Sequence, residues 1–452
     1  MLRSAALAFG LALAAAGSAS AELVARGVQD GMLSLGPKGT PYVAYVRSGK
    51  VVVAHRAEKR WRAERAAVVG AGWQVRALET SRGGPVVLAQ SRDTRRIVLL
   101  RRGLLGWQTI RVAPRLPAGT ILGWPGLALD RHGNPVIAYV RWTPSNFASR
   151  LVLARVNARG RVRAQRITAG GFPPAYLPPA AEPLLVGSRV HVIESFGWRG
   201  SVGTYEWYPQ RKTWVGLGLD VSRGDWPLGP VLAARARNGL VYAAWTESML
   251  GFGFVPVTLA VHRVGSIEVH SEFVLDRALT TALALPPSGP EIAANEWVDD
   301  FDLGRDGDRD IWAGVVRGKD RVELGGWIAG LAAPRAGGRD LLLALPQGLS
   351  WFHSRGRLKT HVTIAASGGP SGATVTGTVD RASSGSVRIY RELPGAPPEL
   401  LGTAQLTGGS YTFVDHSPVD LLLYRAVFTD QGSGIPYAAL LRPAAGPDWP
   451  TG

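Results

Sequence analysis

The chain has 452 residues, with 51 Lys or Arg against 34 Asp or Glu, and it contains no Cys. Disulfide scaffolds, thiolate metal sites and Cys nucleophiles are thereby excluded, and an apolar content of 46% supplies full-sized cores and excludes a disordered chain. With 57 Gly and 31 Pro the sequence is turn-rich, which suits many short strands, and its length suits two domains.

The positive charge is uneven. Residues 22–170 hold 26 Lys or Arg against 7 Asp or Glu, a net of +19, whereas the rest is close to balanced. Clustered cations attract acidic partners, so polyanion binding through this basic third is one expectation. The excess of 45 Arg over 6 Lys, beside abundant Ala, Gly and Pro, reads equally as codon bias.

Residues 1–21 have the pattern of a secretory signal peptide. Arg3 gives the positive start, Ala5 to Ala16 is apolar, and Ala19-Ser20-Ala21 offers small residues for cleavage. The apolar run falls short of the roughly 20 residues that span a bilayer, so the expectation is a secreted, extracellular or periplasmic protein with no transmembrane segment in its mature form.

From residue 22 to 345 short apolar runs recur after turns. Pro41-Tyr42-Val43-Ala44-Tyr45, Pro85-Val86-Val87-Leu88-Ala89, Pro135-Val136-Ile137-Ala138-Tyr139, Arg189-Val190-His191-Val192-Ile193 and Leu240-Val241-Tyr242-Ala243-Ala244 begin 44, 50, 54 and 51 residues apart. A period near 50 with strand-like content predicts a β-propeller of four-stranded blades. Asp310 to Val316, preceded by Pro290 to Val298 as a first strand, makes a sixth anchor, so about six blades are expected, five and seven also fitting. Glu22 to Gln29 has no first-strand partner before it and is expected to complete the last blade, with Arg339 to Leu345 as the competing candidate.

Residues 346–360 mix Pro, Gly, Ser and Arg and read as a linker. From 361 to 452 seven short runs predict a β-sandwich: His361 to Ser367, Ala373 to Asp380, Ser386 to Leu393, Glu399 to Thr407, Ser410 to Asp415, Leu421 to Asp430 and Pro436 to Leu441. Gly409-Ser410-Tyr411-Thr412-Phe413 and Tyr424 to Asp430 resemble the late strands of bacterial immunoglobulin-like domains. That resemblance covers the last quarter of the chain and implies a spacer or adhesive module. The fold class expected is therefore all-β, a propeller followed by an Ig-like sandwich.

Two sets of residues carry chemistry. The loops between second and third strands are short in the first two repeats and long in the next three. They and their stems hold Trp142, Asn146, Phe147, Glu194, Trp198, Arg199, Trp245, Glu247 and Phe252. Indole faces pack on sugar rings while carboxylates and amides meet hydroxyls, so these residues are expected to form a ligand-binding mouth. Core packing between blades is the competing role for Trp142 and Trp245.

The second set is Asp299 to Asp310. Asp302, Asp306, Asp308 and Asp310 lie around Gly307, and alternating carboxylates at a Gly turn can converge on one hard cation. The stretch resembles calcium loops of integrin-type propeller blades, although Gly304 breaks the pattern; the resemblance implies a structural calcium ion between first and second strands, on the face opposite the aromatic mouth. Ser91-Arg92-Asp93-Thr94-Arg95-Arg96-Ile97-Val98 resembles the Ser-x-Asp-x-Gly-x-Thr-Trp turn of the BNR repeats of sialidase propellers but lacks its Gly and Trp. The expectation is a non-catalytic protein recognising an extracellular glycan or protein, with no catalytic residue assigned. The alternative is a sialidase-like glycoside hydrolase using the same mouth.

Overall fold

A computed structural model describes residues 21–441 except 104, 147, 168–178, 187–188, 196–201, 209–212, 219–225, 237, 249–256, 264–268, 276–278, 299–308, 318–319, 335–336, 370–371, 392–397 and 418–423. Among the described residues it is all-β, a three-residue 3-10 turn at Pro144–Asn146 being the one helical element.

Seven four-stranded antiparallel units follow one another. Sheet I is Met32–Leu35, Pro41–Arg47, Lys50–Ala57 and Arg60–Val68; sheet II is Trp73–Ser81, Gly84–Ser91, Ile97–Gly103 and Gly106–Arg111. Sheet III is Trp124–Leu129, Pro135–Thr143, Ala148–Val156 and Val162–Arg166, and sheet IV is Ala180–Val186, Arg189–Ser195, Val202–Tyr208 and Thr213–Gly218. Sheet V is Trp226–Arg235, Leu240–Ser248, Val257–Arg263 and Val269–Leu275, and sheet VI is Leu279–Ala284, Glu291–Val298, Arg309–Arg317 and Asp320–Leu324. Sheet VII takes Trp327–Ala332, Arg339–Leu345 and Gly348–Ser354 from one end of the chain and Glu22–Arg26 from the other. The first strand of each sheet touches the first strand of the next, and that of sheet VII returns to that of sheet I, so the sheets stand in a propeller-like ring.

The burial pattern explains which strands the sequence announced. A second strand is covered by the neighbouring sheet on both faces, so it needs a continuous apolar run: seven of the eight residues of Gly84–Ser91 are buried. Fourth strands lie at the circumference, and in Arg60–Val68 only Ala66 is buried. The five anchor runs are the second strands of sheets I to V.

Three expectations need correction. The described ring has seven four-stranded sheets, within the five to seven expected, but the strands around the sixth anchor shift by one: Leu279–Ala284, rich in small residues, is the first strand of sheet VI, which makes Glu291–Val298 its second strand and Arg309–Arg317 its third. Residues 299–308, which hold most of the acidic stretch and lie outside the described residues, therefore connect second and third strands, not first and second. Residues 346–360 are not a linker, because Gly348–Ser354 is an interior strand of sheet VII with its first five residues buried. Glu22–Arg26 and Arg339–Leu345 are not alternatives, since both pair with Gly348–Ser354 in that one sheet.

The C-terminal unit has two layers around one core. Ala365–Gly369, Gly372–Thr378 and Ser410–Asp415 form one layer. Glu399–Thr407, Ser384–Arg391, Tyr424–Thr429 and Pro436–Leu440 form the other. Val375, Val387, Ile389, Tyr411, Tyr424 and Phe428 meet between them. Its last strand continues sheet VI, with Leu324 opposite Tyr437 and the Gly325 amide donating to Pro436 O at 2.8 Å. Ile435 and Tyr437 share a core with Ile328, Leu343 and Phe352, so the two parts pack as neighbours.

Candidate functional site

The first strands of the sheets line the axis, and several polar side chains from sheets I to IV lie there. Arg76, in the first strand of sheet II, lays its guanidinium 3.8 Å from the centre of the Trp124 ring of sheet III. Its Nε donates to Gln90 Oε1 at 2.9 Å, and Gln90 Nε2 donates to Leu122 O at 3.1 Å and Gly123 O at 3.0 Å, which ties sheet II to the entry of sheet III. Burial lowers the Arg76 guanidinium to about 10, against the opposing pull of Asp30. Water reaches Asp30, yet protein crowds it on most sides; that desolvation pushes its carboxyl up, while Arg76 and the Gly31 amide pull it down.

Further along the axis stand two half-buried carboxyl groups, Glu79 of sheet II and Glu182 of sheet IV. Gly126 of sheet III makes room for Glu182: a Cβ there would overlap Glu182 Oε2 and sit 2.6 Å from Ala181 O. Desolvation pushes Glu79 up to about 7, with the Thr80 amide opposing. Glu182 is held well above the usual carboxylate range, first by desolvation and then by the charge of Glu79. Each carboxyl thus stands where burial disfavours its charged form, and the charge of Glu79 adds to that effect at Glu182.

Glu79 also lines a cavity of about 770 Å³ where first strands turn into second strands, together with Ser81, Arg82, Asp130, Arg131 and His132. Asp130 is occupied by its own turn, accepting from the His132 and Asn134 amides at 2.8 Å each and from Asn134 Nδ2 at 3.1 Å. Glu79 is thus the carboxyl of that cavity left to meet a ligand.

The nine residues expected at an aromatic mouth are distributed differently. Trp142 and Trp245 are 6% and 1% exposed, so both pack between sheets and present no indole face. Strand alternation sets their directions: Trp142 shares a strand face with Val136, Ala138 and Val140, which pack against sheet IV, and Trp245 shares one with Val241 and Ala243. Glu194 is fully buried on the face of Val190 and Val192, which turns it toward sheet III. Asn146 is exposed, and its Oδ1 accepts from the Ala148 amide at 3.1 Å, closing the loop on itself. Glu247 lies in the second strand of sheet V opposite Pro227. Phe147, Trp198, Arg199 and Phe252 fall outside the described residues, as do Asp302, Asp306 and Asp308. Asp310 stands in the third strand of sheet VI opposite Trp297. No group of three metal-ligating side chains occurs among the described residues. The Ser91–Asp93 string forms a turn between second and third strands, with Ser91 Oγ donating to Asp93 and holding its carboxyl low.

The axial set had no motif to announce it. Its residues come from four sheets, and only the ring brings Asp30, Arg76, Glu79, Gln90, Trp124 and Glu182 together. The sequence signal that remained was a polar residue inside an apolar strand, as at Glu79 and Glu182.

No family model matches this chain, and no curated protein matches it. Among solved structures it is similar to Sqt1 of Saccharomyces cerevisiae, at 10% identity over 89% of this chain and 100% of that one, with a TM-score of 0.44. It is also similar to an alpha-L-arabinanase of Penicillium chrysogenum, at 14% identity over 61% of this chain and 91% of that one, with a TM-score of 0.39. A third is the NanB sialidase of Streptococcus pneumoniae, at 11% identity over 74% of this chain and 70% of that one, with a TM-score of 0.33. No helix among the described residues is long and apolar enough to cross a membrane.

Proposed function

We propose that this chain is a secreted binding protein whose propeller recognises an extracellular glycan or protein without chemistry. One observation carries the reading. The connections between second and third strands are short in sheets I and VII, at 48–49 and 346–347, intermediate in sheets II and III, at 92–96 and 144–147, and longest in sheets IV to VI, at 196–201, 249–256 and 299–308. Three adjacent sheets, IV to VI, thus carry their longest connections between second and third strands, at the strand ends on the side of the axis that holds Asp30 and Arg76. Asn146, Phe147, Trp198, Arg199, Glu247 and Phe252 are the contacts proposed from these loops, and the mixed charges of the axis suit a ligand bearing hydroxyl and charged groups. The C-terminal unit acts in this reading as an Ig-like spacer or adhesion module, and Asp302, Asp306, Asp308 and Asp310 as weak calcium ligands on the loop-bearing face.

A glycoside hydrolase is the second reading, and the Glu79–Glu182 pair favours it, because two half-buried carboxyl groups on the axis, both held above the usual carboxylate range, are the residue type that acid–base glycoside cleavage uses. A glycan and protein array probed with the parent and with Arg76→Gln tests binding; retention by the parent and loss in the variant supports it. A panel of fluorogenic glycosides decides between the readings. Turnover by the parent that disappears in Glu79→Gln and Glu182→Gln overturns the binding reading.

A further inference from the structure

We propose that the cleft between sheet VII and the C-terminal unit is a binding site for a polyvalent oxyanion, its recognised groups being sulfate or phosphate. The chain leaves Gly348–Ser354 through a segment that carries Arg355, Arg357 and Lys359, all exposed. Leu358, 7% exposed, pins that segment to the core between them. Across the cleft stands Arg381, whose backbone adopts φ +62°, a left-handed conformation at a non-glycine residue that fixes the turn presenting it. These four cations line one cavity of about 610 Å³.

Acidic compensation is small. The one carboxylate among the described residues lining the cavity is Asp430, whose Oδ2 already accepts from the Ser433 amide at 2.7 Å and from Ser433 Oγ at 2.6 Å. Asp380 stands 3.7 Å from Arg381. Arg355, Arg357 and Lys359 have no ion pair among the described residues, so their three charges converge on the cleft uncompensated. Guanidinium forks bind tetrahedral oxyanions through two parallel hydrogen bonds, and a concave site that gathers several cations favours an anion with more than one charge. Thr360 adds a hydroxyl at the wall. The inference does not depend on the axial site, which lies elsewhere in the ring.

The test is titration calorimetry of the full chain with inorganic pyrophosphate and, separately, with a sulfated oligosaccharide. The variants are Arg355→Gln/Arg357→Gln/Lys359→Gln in the cleft and Arg60→Gln/Arg62→Gln/Arg65→Gln on the circumference of sheet I. The expected result is binding weakened roughly tenfold or more by the cleft variant and unchanged by the circumferential one, with equal melting temperatures showing that both fold. Binding of pyrophosphate identifies a free anion as sufficient, and binding of the oligosaccharide alone identifies ester groups on a chain. No binding of either probe by the parent overturns the proposal, as does loss in the circumferential variant with the cleft variant unaffected.

Discussion

Glu194 carries both carboxylate oxygens into the packing between sheets with no hydrogen-bond partner among the described residues, and desolvation holds its carboxyl well above the usual range. Its folded value lies above the unfolded value of 4.5, so it costs nothing below that pH and takes away stability as pH rises above it. Glu194→Gln should therefore melt close to the parent near pH 4 and increasingly above it toward neutral pH. A difference that does not grow with pH would contradict this account. Glu79 follows the same sign between 4.5 and about 7, and its full effect is roughly 3 kcal/mol. Gly126 makes the opposite case, in which a missing side chain matters. Gly126→Ala brings a methyl against both Glu182 and the Ala181 carbonyl, so adding Glu182→Gln should not restore its melting temperature, because the backbone clash remains.

Neighbouring sheets are joined by polar side chains that reach across the gap. Asn295 of sheet VI accepts from the Ile328 amide at 2.8 Å and donates to Ile328 O at 2.9 Å, both on the first strand of sheet VII. At the start of the same strand, Glu291 of sheet VI forms a buried two-point ion pair with Arg339 of sheet VII. Removing one partner leaves a buried charge unmet, so Arg339→Met should cost roughly 3–5 kcal/mol in chemical denaturation, and Arg339→Met/Glu291→Leu should recover much of it. If the single variant is as stable as the parent, the pair does not join these sheets. The strand Glu22–Arg26 closes sheet VII, and Glu22 meets the Arg56 guanidinium of sheet I at 2.6 and 2.8 Å. For the calcium site proposed on the acidic loop of sheet VI, an ion bound only by the folded chain would add about 2.7 kcal/mol at a hundredfold excess over Kd. A melting temperature that rises with calcium in the parent but not in Asp306→Asn is expected; identical melts with calcium and with chelator would remove the metal.

The C-terminal unit and the ring share a core through Ile435, Tyr437, Leu343 and Phe352. Separation would expose that apolar surface, so residues 361–452 expressed alone should be less stable than in the full chain and should bind a hydrophobic dye. Limited trypsin digestion has exposed sites at Arg355 and Arg357, yet cleavage there should leave the two fragments associated on size exclusion. Release of a folded, freely eluting C-terminal fragment would show that the shared core contributes little.

Period and burial made much of this architecture readable along the chain. The second strands of sheets I to V must be apolar on both faces, and that requirement wrote the repeat near 50 residues into the sequence. Seven runs of the last quarter were legible for a different reason, since alternation about one core leaves a period of two. Sheet VI's first strand was not legible, because Leu279–Ala284 is built from small residues with no such contrast, and its omission put the acidic loop between the wrong pair of strands. Trp142 and Trp245 show a further limit: composition marks a Trp as able to bind a sugar or fill a core, and only the neighbouring sheet decides which. The axial set and the cationic cleft are decided by tertiary structure for one physical reason. The axial residues lie far apart along the chain and meet only when the ring assembles, and the segment of Arg355, Arg357 and Lys359 becomes one wall of a cleft only when the C-terminal unit docks and brings Arg381 opposite it.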